Sequence, residues 1–353
     1  MTLTLQLVVP CTDLDAAIAF LGLRLDMIMP ADAPRIALGS CNGIAVRLVR
    51  AEHEGDEHFG FVLAVLEDAA HGRKLTDGGL NLPDGVRIDF FDMHAPPVIP
   101  ESKQEFVIAR ASNDAWSQGR AGMLYRDLIP GRLGGRFIAS QIRIPNAGPV
   151  DDYEHHHNIR FQMIYCRRGW VRVVYEGQGP PFVMREGDCV LQPPHIRHRV
   201  LESSAGLEVI EVSSPAEHET WRDHDLGLPT RGRRSNRTFA GQRFVHHRAD
   251  EAIWQGVTSD LCWRDTGIAE ATEGLASVRV VRRVTNTVEA ARSHHGELLF
   301  MSVLRGRLRL RGEALGAHTL ETDDCCVVPK VASYALEAAA TPCEVLEVAL
   351  PAR

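Results

Sequence analysis

No apolar run in these 353 residues approaches the ~20 positions that a helix needs to cross a bilayer. The N-terminal MTLTLQLVVP lacks the basic start and small-residue cleavage site of a secretory leader. Eight cysteines occur, none as a CxxC pair, which excludes a zinc ribbon and argues against a disulfide framework. The adjacent Cys325 and Cys326 read as small apolar residues of a strand. Positive charge is not in excess either: a net charge of −7 and a pI near 6.1 leave no basic face for nucleic acid. The one basic cluster, TRGRRSNR at 230–237, lies among Gly, Ser and Asn and reads as a solvated linker. These absences lead us to expect a cytoplasmic protein with no membrane and no nucleic-acid partner. What is present is an ordinary globular composition, 44% apolar and 24% charged, in a chain long enough for two or three domains.

The chain repeats itself. QEFVIARASNDAWSQGRAGMLYRDL begins at Gln104 and QRFVHHRADEAIWQGVTSDLCWRDT at Gln242, so that Phe106, Trp116 and Arg126-Asp127 match Phe244, Trp254 and Arg264-Asp265. Farther on, RRGWVRVVYEG matches LRGRLRLRGEA with Gly169 against Gly306, and LEVIEVSSP matches CEVLEVALP. A near-constant offset over so long a stretch indicates a duplicated domain. Each copy consists of short β-branched or alternating segments punctuated by Gly, Pro and Asn, the cadence of a sandwich or barrel. The expected organisation is an N-terminal module at 1–97, a first β-rich copy at 98–222, a linker at 223–241 and a second copy at 242–353. The N-terminal part differs: LTLQLVVP predicts a strand, Thr12 or Asp13 can cap a helix with Leu14, Ala17, Ile18 and Leu21 on one face, and RLDMIM, RIALGS and GIAVRLV predict three more strands.

The chemistry concentrates in DDYEHHHNIRFQMIYCRRGW. On a strand, His155 and His157 project from one face while His156 and Glu154 point to the other. His198 closes REGDCVLQPPHIRH on a later strand, and two histidines on one strand with a third from another can hold a divalent metal. Bland alternatives remain for their neighbours. His195 reads as solvent-facing or as a support for the site, and Cys166, which shares parity with Gln162, lines either the pocket or the core.

This segment resembles the cupins. His155-x-His157, four residues, Gln162, six residues and Gly169 follow the family's first motif, with Gly148 one residue farther upstream than the pattern asks. Gly187, five residues, Pro193, His195 and His198 follow its second motif, with His195 in a glycine's place. The resemblance covers both repeats. It implies a mainly β fold: two tandem cupin (double-stranded β-helix, jelly-roll) barrels plus a small N-terminal βαβββ α+β module. Most cupins carry a ligand Glu where this chain has Gln162, and a neutral amide is a poor ligand, better suited to hydrogen-bonding a bound water or substrate. Cupins without that Glu include iron dioxygenases of the gentisate and cysteine type. The resemblance therefore implies one divalent ion on His155, His157 and His198: iron first, with zinc, manganese or nickel as alternatives. The implied reaction is dioxygenase-like cleavage of a small anionic, oxygen-chelating substrate, with Gln162 as the catalytic residue that orients the bound anion. Non-redox cupin enzymes (isomerase, decarboxylase, lyase or hydrolase) and non-catalytic binding or sensor proteins are the rival expectations. The second copy keeps His294, His295 and Glu297 but has Leu299 in the Glu position and Tyr334 for the last histidine, which predicts a scaffold without metal. Trp116/Trp254 and Arg126-Asp127/Arg264-Asp265 recur in both copies and so predict a structural role. Cupins often pair edge strands, which implies a homodimer.

The N-terminal βαβββ order resembles one half of the vicinal-oxygen-chelate (glyoxalase-like) fold over about 50 residues, best in VVPCTDLDAAIAFL. Gln6 and Glu52 stand where one half would supply ligands. That family's metal site needs two halves and no second half is visible, so the expectation is a structural or dimerising role.

Overall fold

The computed structural model describes residues 3–51, 60–65, 80–81, 87–92, 95–113, 115–256, 258 and 260–352. It forms two compact units: Met1–Pro97 with His155–Asn158 and His218–Asp225, and the remainder, Val98–Glu154, Ile159–Glu217 and Leu226–Arg353. No described helix is long and apolar enough to cross a membrane.

In the first unit, strand Leu3–Cys11 lies parallel to Ile44–Arg50 and antiparallel to Gly60–Val65, which runs parallel to Arg87–Asp92. From Ile44–Arg50 the sheet continues antiparallel through Ile36–Cys41 and Arg24–Met29. It then passes to Glu219–Arg222 and His155–Asn158. Helix Leu14–Leu21 covers this sheet because its apolar residues recur at helical spacing: Leu14, Ala17, Ile18 and Leu21 pack with Ile28, Ala37, Val46 and Leu48. Asp13 is the cap, accepting from the Ala16 amide at 2.9 Å, and Gly22 ends the helix in the left-handed conformation at φ 55°. Gln6 is buried between Ala45 and Val62, and its Oε1 has no hydrogen-bond partner among the described residues. Glu52 lies outside the described residues.

The second unit contains the second repeat and the first except for His155–Asn158 and residues 218–222. In the first, Phe161–Arg168 pairs with Cys189–Leu191 and Leu207–Ser214, and Leu207–Ser214 pairs with Ile138–Ile144. In the second, Leu298–Gly312 pairs with Cys325–Val327 and Ala335–Leu350, and Ala335–Leu350 pairs with Ser277–Arg283. The period of two sorts the side chains. Phe161, Met163, Tyr165, Ile210 and Val212 enter one core together with Val278, Val280, Phe300, Leu346 and Val348, so the copies share it. The intervening positions turn inward, to a first-barrel core holding Cys166, Val173, Tyr175 and Val209 and a second-barrel core holding Leu299, Met301, Tyr334 and Val345. Cys166 is therefore core. Each buried side chain of this size is worth about 1.5–3 kcal/mol, so the shared core is a principal source of stability. At the turn into strand Trp170–Tyr175, Gly169 has φ 79°, and a Cβ there would sit 2.4 Å from Ser204 Oγ. A side chain is thus excluded twice over.

The copies also exchange their first strands. Val107–Ala109 pairs with Cys325–Val327 of the second copy, and Val245–His247 pairs with Cys189–Leu191 of the first. The Ala111 amide donates to Asp324 Oδ1 (2.7 Å) and, reciprocally, the Ala249 amide donates to Asp188 Oδ1 (2.8 Å). Arg126 reaches the Asp323 carbonyl, and Arg264 the Gly187 carbonyl. Trp116 stacks under Arg143 at 4.1 Å and Trp254 under Arg282 at 3.8 Å. The repeated Trp and Arg residues thus work in the framework. The 230–237 stretch is exposed yet docked: Thr230 Oγ1 accepts from the Gly177 amide, and Arg237 pairs with Glu176.

Candidate metal centre

His155 and His157 lie on the strand His155–Asn158, and His198 opens the strand His198–Ser203. They are 1%, 7% and 5% exposed, and one ring nitrogen from each lies within 4.8 Å of the others. Among the described residues this is the one group of three or more His, Cys, Asp or Glu able to converge on an ion. Strand alternation produces the pair, since His155 and His157 face the same way while His156 is half-buried and pairs with Trp221 in the ladder.

A buried imidazole needs a fixed tautomer, and His198 has one. His198 Nδ1 lies 3.0 Å from the Ile196 carbonyl, an acceptor only, so Nδ1 carries the hydrogen and Nε2 keeps its lone pair. His157 Nδ1 sits 3.0 Å from Thr220 Oγ1. Outer hydrogen bonds of this kind aim metal-binding histidines. Tyr175 stacks on His198 at 5.4 Å, and His157 meets two rings edge-on, His155 at 5.2 Å and His218 at 5.3 Å. The donor set fits a divalent first-row ion: three neutral nitrogens, held by their surroundings and shielded from water.

Gln162 is buried and enters a directed chain of hydrogen bonds. Its Nε2 donates to Glu211 Oε1 (3.1 Å), and its Oε1 accepts from Gln192 Nε2 (3.0 Å). The Gln192 oxygen accepts from the Tyr175 hydroxyl (2.6 Å), and Gln192 Nε2 lies 3.2 Å from His198 Nε2. A carboxylate only accepts, so Glu211 sets the orientation of both amides and makes the phenol the donor. Burial pushes the Tyr175 phenol far above its ordinary range, so that proton stays in place. Glu211 also accepts from Ser213 Oγ at 2.8 Å.

His195 is exposed, with φ 62° where the motif has glycine. An L-residue pays roughly 1–2 kcal/mol for that conformation, which explains the glycine of the motif. Sequence reasoning passed over Gln192, Tyr175, Thr220, Glu211 and His218. Glu211 carried a signal: a charged residue in the apolar LEVIEVSS, repeated as Glu347 in CEVLEVALP. His218 carried none, being a single histidine far along the chain.

The second barrel lacks such a site among the described residues. Arg292 takes the place of His155 and lies over the Tyr334 ring at 5.4 Å. His294 Nε2 is 2.7 Å from the Val328 carbonyl. The Glu297 carboxylate is held by Arg136 and Arg160 of the first copy. Burial alone would raise its pKa, but those two guanidinium groups outweigh burial and hold it below the ordinary value.

No protein-family model matches this chain, and no curated protein matches it. Solved structures do. A salicylate 1,2-dioxygenase from Pseudaminobacter salicylatoxidans aligns over 72% of this chain and 86% of its own, with a TM-score of 0.53 and 18% identity. Oxalate decarboxylase from Bacillus subtilis aligns over 73% and 78%, with a TM-score of 0.51 and 12% identity. The formate complex of Lactobacillus farciminis oxalate decarboxylase aligns over 73% and 90%, with a TM-score of 0.52 and 13% identity. At such identities the likeness lies in the fold, and the tandem jelly-roll architecture is the one expected from the repeat and the cupin motifs.

Proposed function

We propose that the chain is a mononuclear non-haem metal enzyme, dioxygenase-like, acting on a small anionic substrate that chelates through two oxygens. The observation that carries this reading is the buried three-histidine cluster with a neutral Gln162 beside it. His155, His157 and His198 would hold the ion, iron first among the candidates. Iron would supply redox chemistry toward dioxygen, whereas zinc would supply Lewis acidity alone, a role that manganese or nickel can also take. A carboxylate ligand would lower the charge available to an anionic substrate, and its absence favours oxygen-rich anions. The neighbouring salicylate and oxalate enzymes are named for anions of that kind. Gln162 orients the bound anion through the amide hydrogen not given to Glu211. Gln192 shifts its amide from His198 Nε2 to the substrate when the ion is bound. We further propose that residues 1–97 are half of a glyoxalase-like module with a structural or dimerising role, supported by its strand–helix–three-strand order. A homodimer is part of this proposal.

The oxalate decarboxylase likeness favours a second reading, a non-redox enzyme acting on the same kind of anion. Elemental analysis of untagged protein, with oxygen uptake during turnover of α-oxo acids and ortho-hydroxy acids, tests both. About one iron per chain with stoichiometric oxygen uptake is expected. Anaerobic turnover with zinc would establish the second reading, and absence of metal after incubation with ferrous iron or zinc would reduce the chain to a binding scaffold.

A further inference from the structure

In the first copy one glutamine joins two charged strands. Gln141 Oε1 accepts from both Nε (3.0 Å) and Nη2 of Arg126, while its Nε2 donates to Glu208 Oε2 at 2.7 Å. Glu208 Oε1 is taken by Arg143 Nε at 3.0 Å. The second copy repeats the flanking groups, with Arg264 for Arg126, Glu344 for Glu208 and Arg282 for Arg143. Arg282 Nε donates to Glu344 Oε1 at 2.8 Å. Only the bridge has changed: Val280 pairs with Arg264 across its ladder as Gln141 pairs with Arg126.

Both groups that Gln141 joins thereby lack that bridge. Arg264 is 9% exposed; among the described residues its buried Nε has no hydrogen-bond partner, and its Nη groups reach only the Ala249 and Gly187 carbonyls, both at 3.4 Å. Glu344 Oε2, equivalent to the atom that takes the Gln141 amide, receives no donor among the described residues. A cavity of about 260 Å³ is lined by Arg264 and Glu344, together with Tyr165, Arg167, Glu186 and Arg305. A buried N–H without an acceptor costs about 1–3 kcal/mol, so such groups in native proteins call for a partner. A carboxylate would satisfy Arg264 but be repelled by Glu344 and Glu186, and an ammonium would satisfy Glu344 but be repelled by Arg264, Arg167 and Arg305. A primary carboxamide presents an acceptor and a donor side by side and satisfies both, as Gln141 does in the other copy.

We propose that the cavity between Arg264 and Glu344 is a binding site for a small primary carboxamide, whose oxygen accepts from the Arg264 guanidinium and whose amide donates to Glu344. The site is separate from the three-histidine cluster and independent of its chemistry.

Propionamide, the free equivalent of a glutamine side chain, is the probe. It is titrated into the full-length protein while the Arg264 Nε–H resonance is followed, with propionate in parallel. Saturable binding of propionamide in the millimolar range is expected, as for a ligand of so few atoms, with propionate at least tenfold weaker. Val280→Gln should abolish the response by filling the site from within, and Glu344→Gln should bring propionate to parity or better. The proposal is overturned if wild-type protein shows no saturable shift, or if propionate binds as well as propionamide. It is equally overturned if folded Val280→Gln protein still responds. Should Val280→Gln not fold, the comparison of amide with acid on wild-type protein decides alone.

Discussion

The two barrels solve one problem in two ways. Each has a polar group buried opposite a central strand carboxylate, Glu211 in the first and Glu347 in the second. In the first barrel, His155, Gln162 and His198 face inward, and two amides and a phenol hold the carboxylate in a neutral network. In the second, Arg292, Leu299 and Tyr334 stand at those positions. Glu347, 3% exposed, is balanced by Arg279 and Arg292, and Glu289 by Arg283 and Arg292. One barrel meets its carboxylate with neutral donors, whereas the other carries a guanidinium as part of the chain. A scaffold that keeps its carboxylate must supply a countercharge or a donor network, and this choice separates a site from a strut.

The largest expected effect breaks the first barrel. His155→Ala with His198→Ala should reduce bound metal from about one per chain to trace and abolish metal-dependent turnover, as read by elemental analysis and activity. The counterpart change in the second barrel, Arg292→Met, should leave metal content alone. It removes one of two partners from Glu347 and one from Glu289, and losing part of a buried ionic network costs several kcal/mol. A loss of ~2–4 kcal/mol in urea unfolding is expected, with unchanged metal per chain. A fall in metal content would show that the two interiors are not independent.

Much of this was legible in the chain because it rests on period and spacing. Leu14, Ala17, Ile18 and Leu21 fall on one helical face whatever they pack against, and Asp13 caps where a short acceptor is needed. His155 and His157 share a face by alternation alone. The exchanged strands were not legible: Val107–Ala109 and Val245–His247 look equally suited to either sheet, since pattern fixes which face is apolar but not which neighbour is paired. The Glu211–Gln162–Gln192–Tyr175 chain needed the register of three strands. The Gln141 to Val280 change, visible in an alignment of the repeats, has meaning only once Arg264 and Glu344 are seen on either side of it. The reading of Gln162 as a pocket residue stays a proposal, whereas its burial and partners are plain in the structure.

A smaller effect sharpens the comparison at Gln162 itself. Gln162→Leu installs the second barrel's residue in the first, removing the acceptor for Gln192 and the donor for Glu211. Leaving such groups unsatisfied should cost about 1–3 kcal/mol of stability. The three imidazoles are untouched, so metal content should stay near one per chain while KM for the anionic substrate rises. Loss of the metal as well would make Gln162 a ligand, contrary to the reading of a neutral amide that orients substrate.

The smallest expected effect concerns a property in which the barrels agree. Burial pushes the Cys166 thiol of the first barrel up to about 12 and the Cys343 thiol of the second up to about 11, from an ordinary value of 9.0. A raised pKa means that the folded state disfavours the thiolate. The stabilisation is therefore complete below pH 9 and is lost as pH rises from 9 toward about 12 for Cys166 and about 11 for Cys343, where the unfolded chain releases a proton that the folded one keeps. At pH 9 the unfolded thiol is half ionised, and each cysteine lowers stability by RT ln 2, about 0.4 kcal/mol. Cys166→Val and Cys343→Val, each referred to its own stability at pH 7, should each recover that amount at pH 9 and more at pH 10. Equal recoveries would mean that the two interiors are equally dry away from the histidines. A smaller recovery at Cys166 would mean that water enters the first barrel through its polar network, and that the contrast between the barrels extends from their side chains to their solvation.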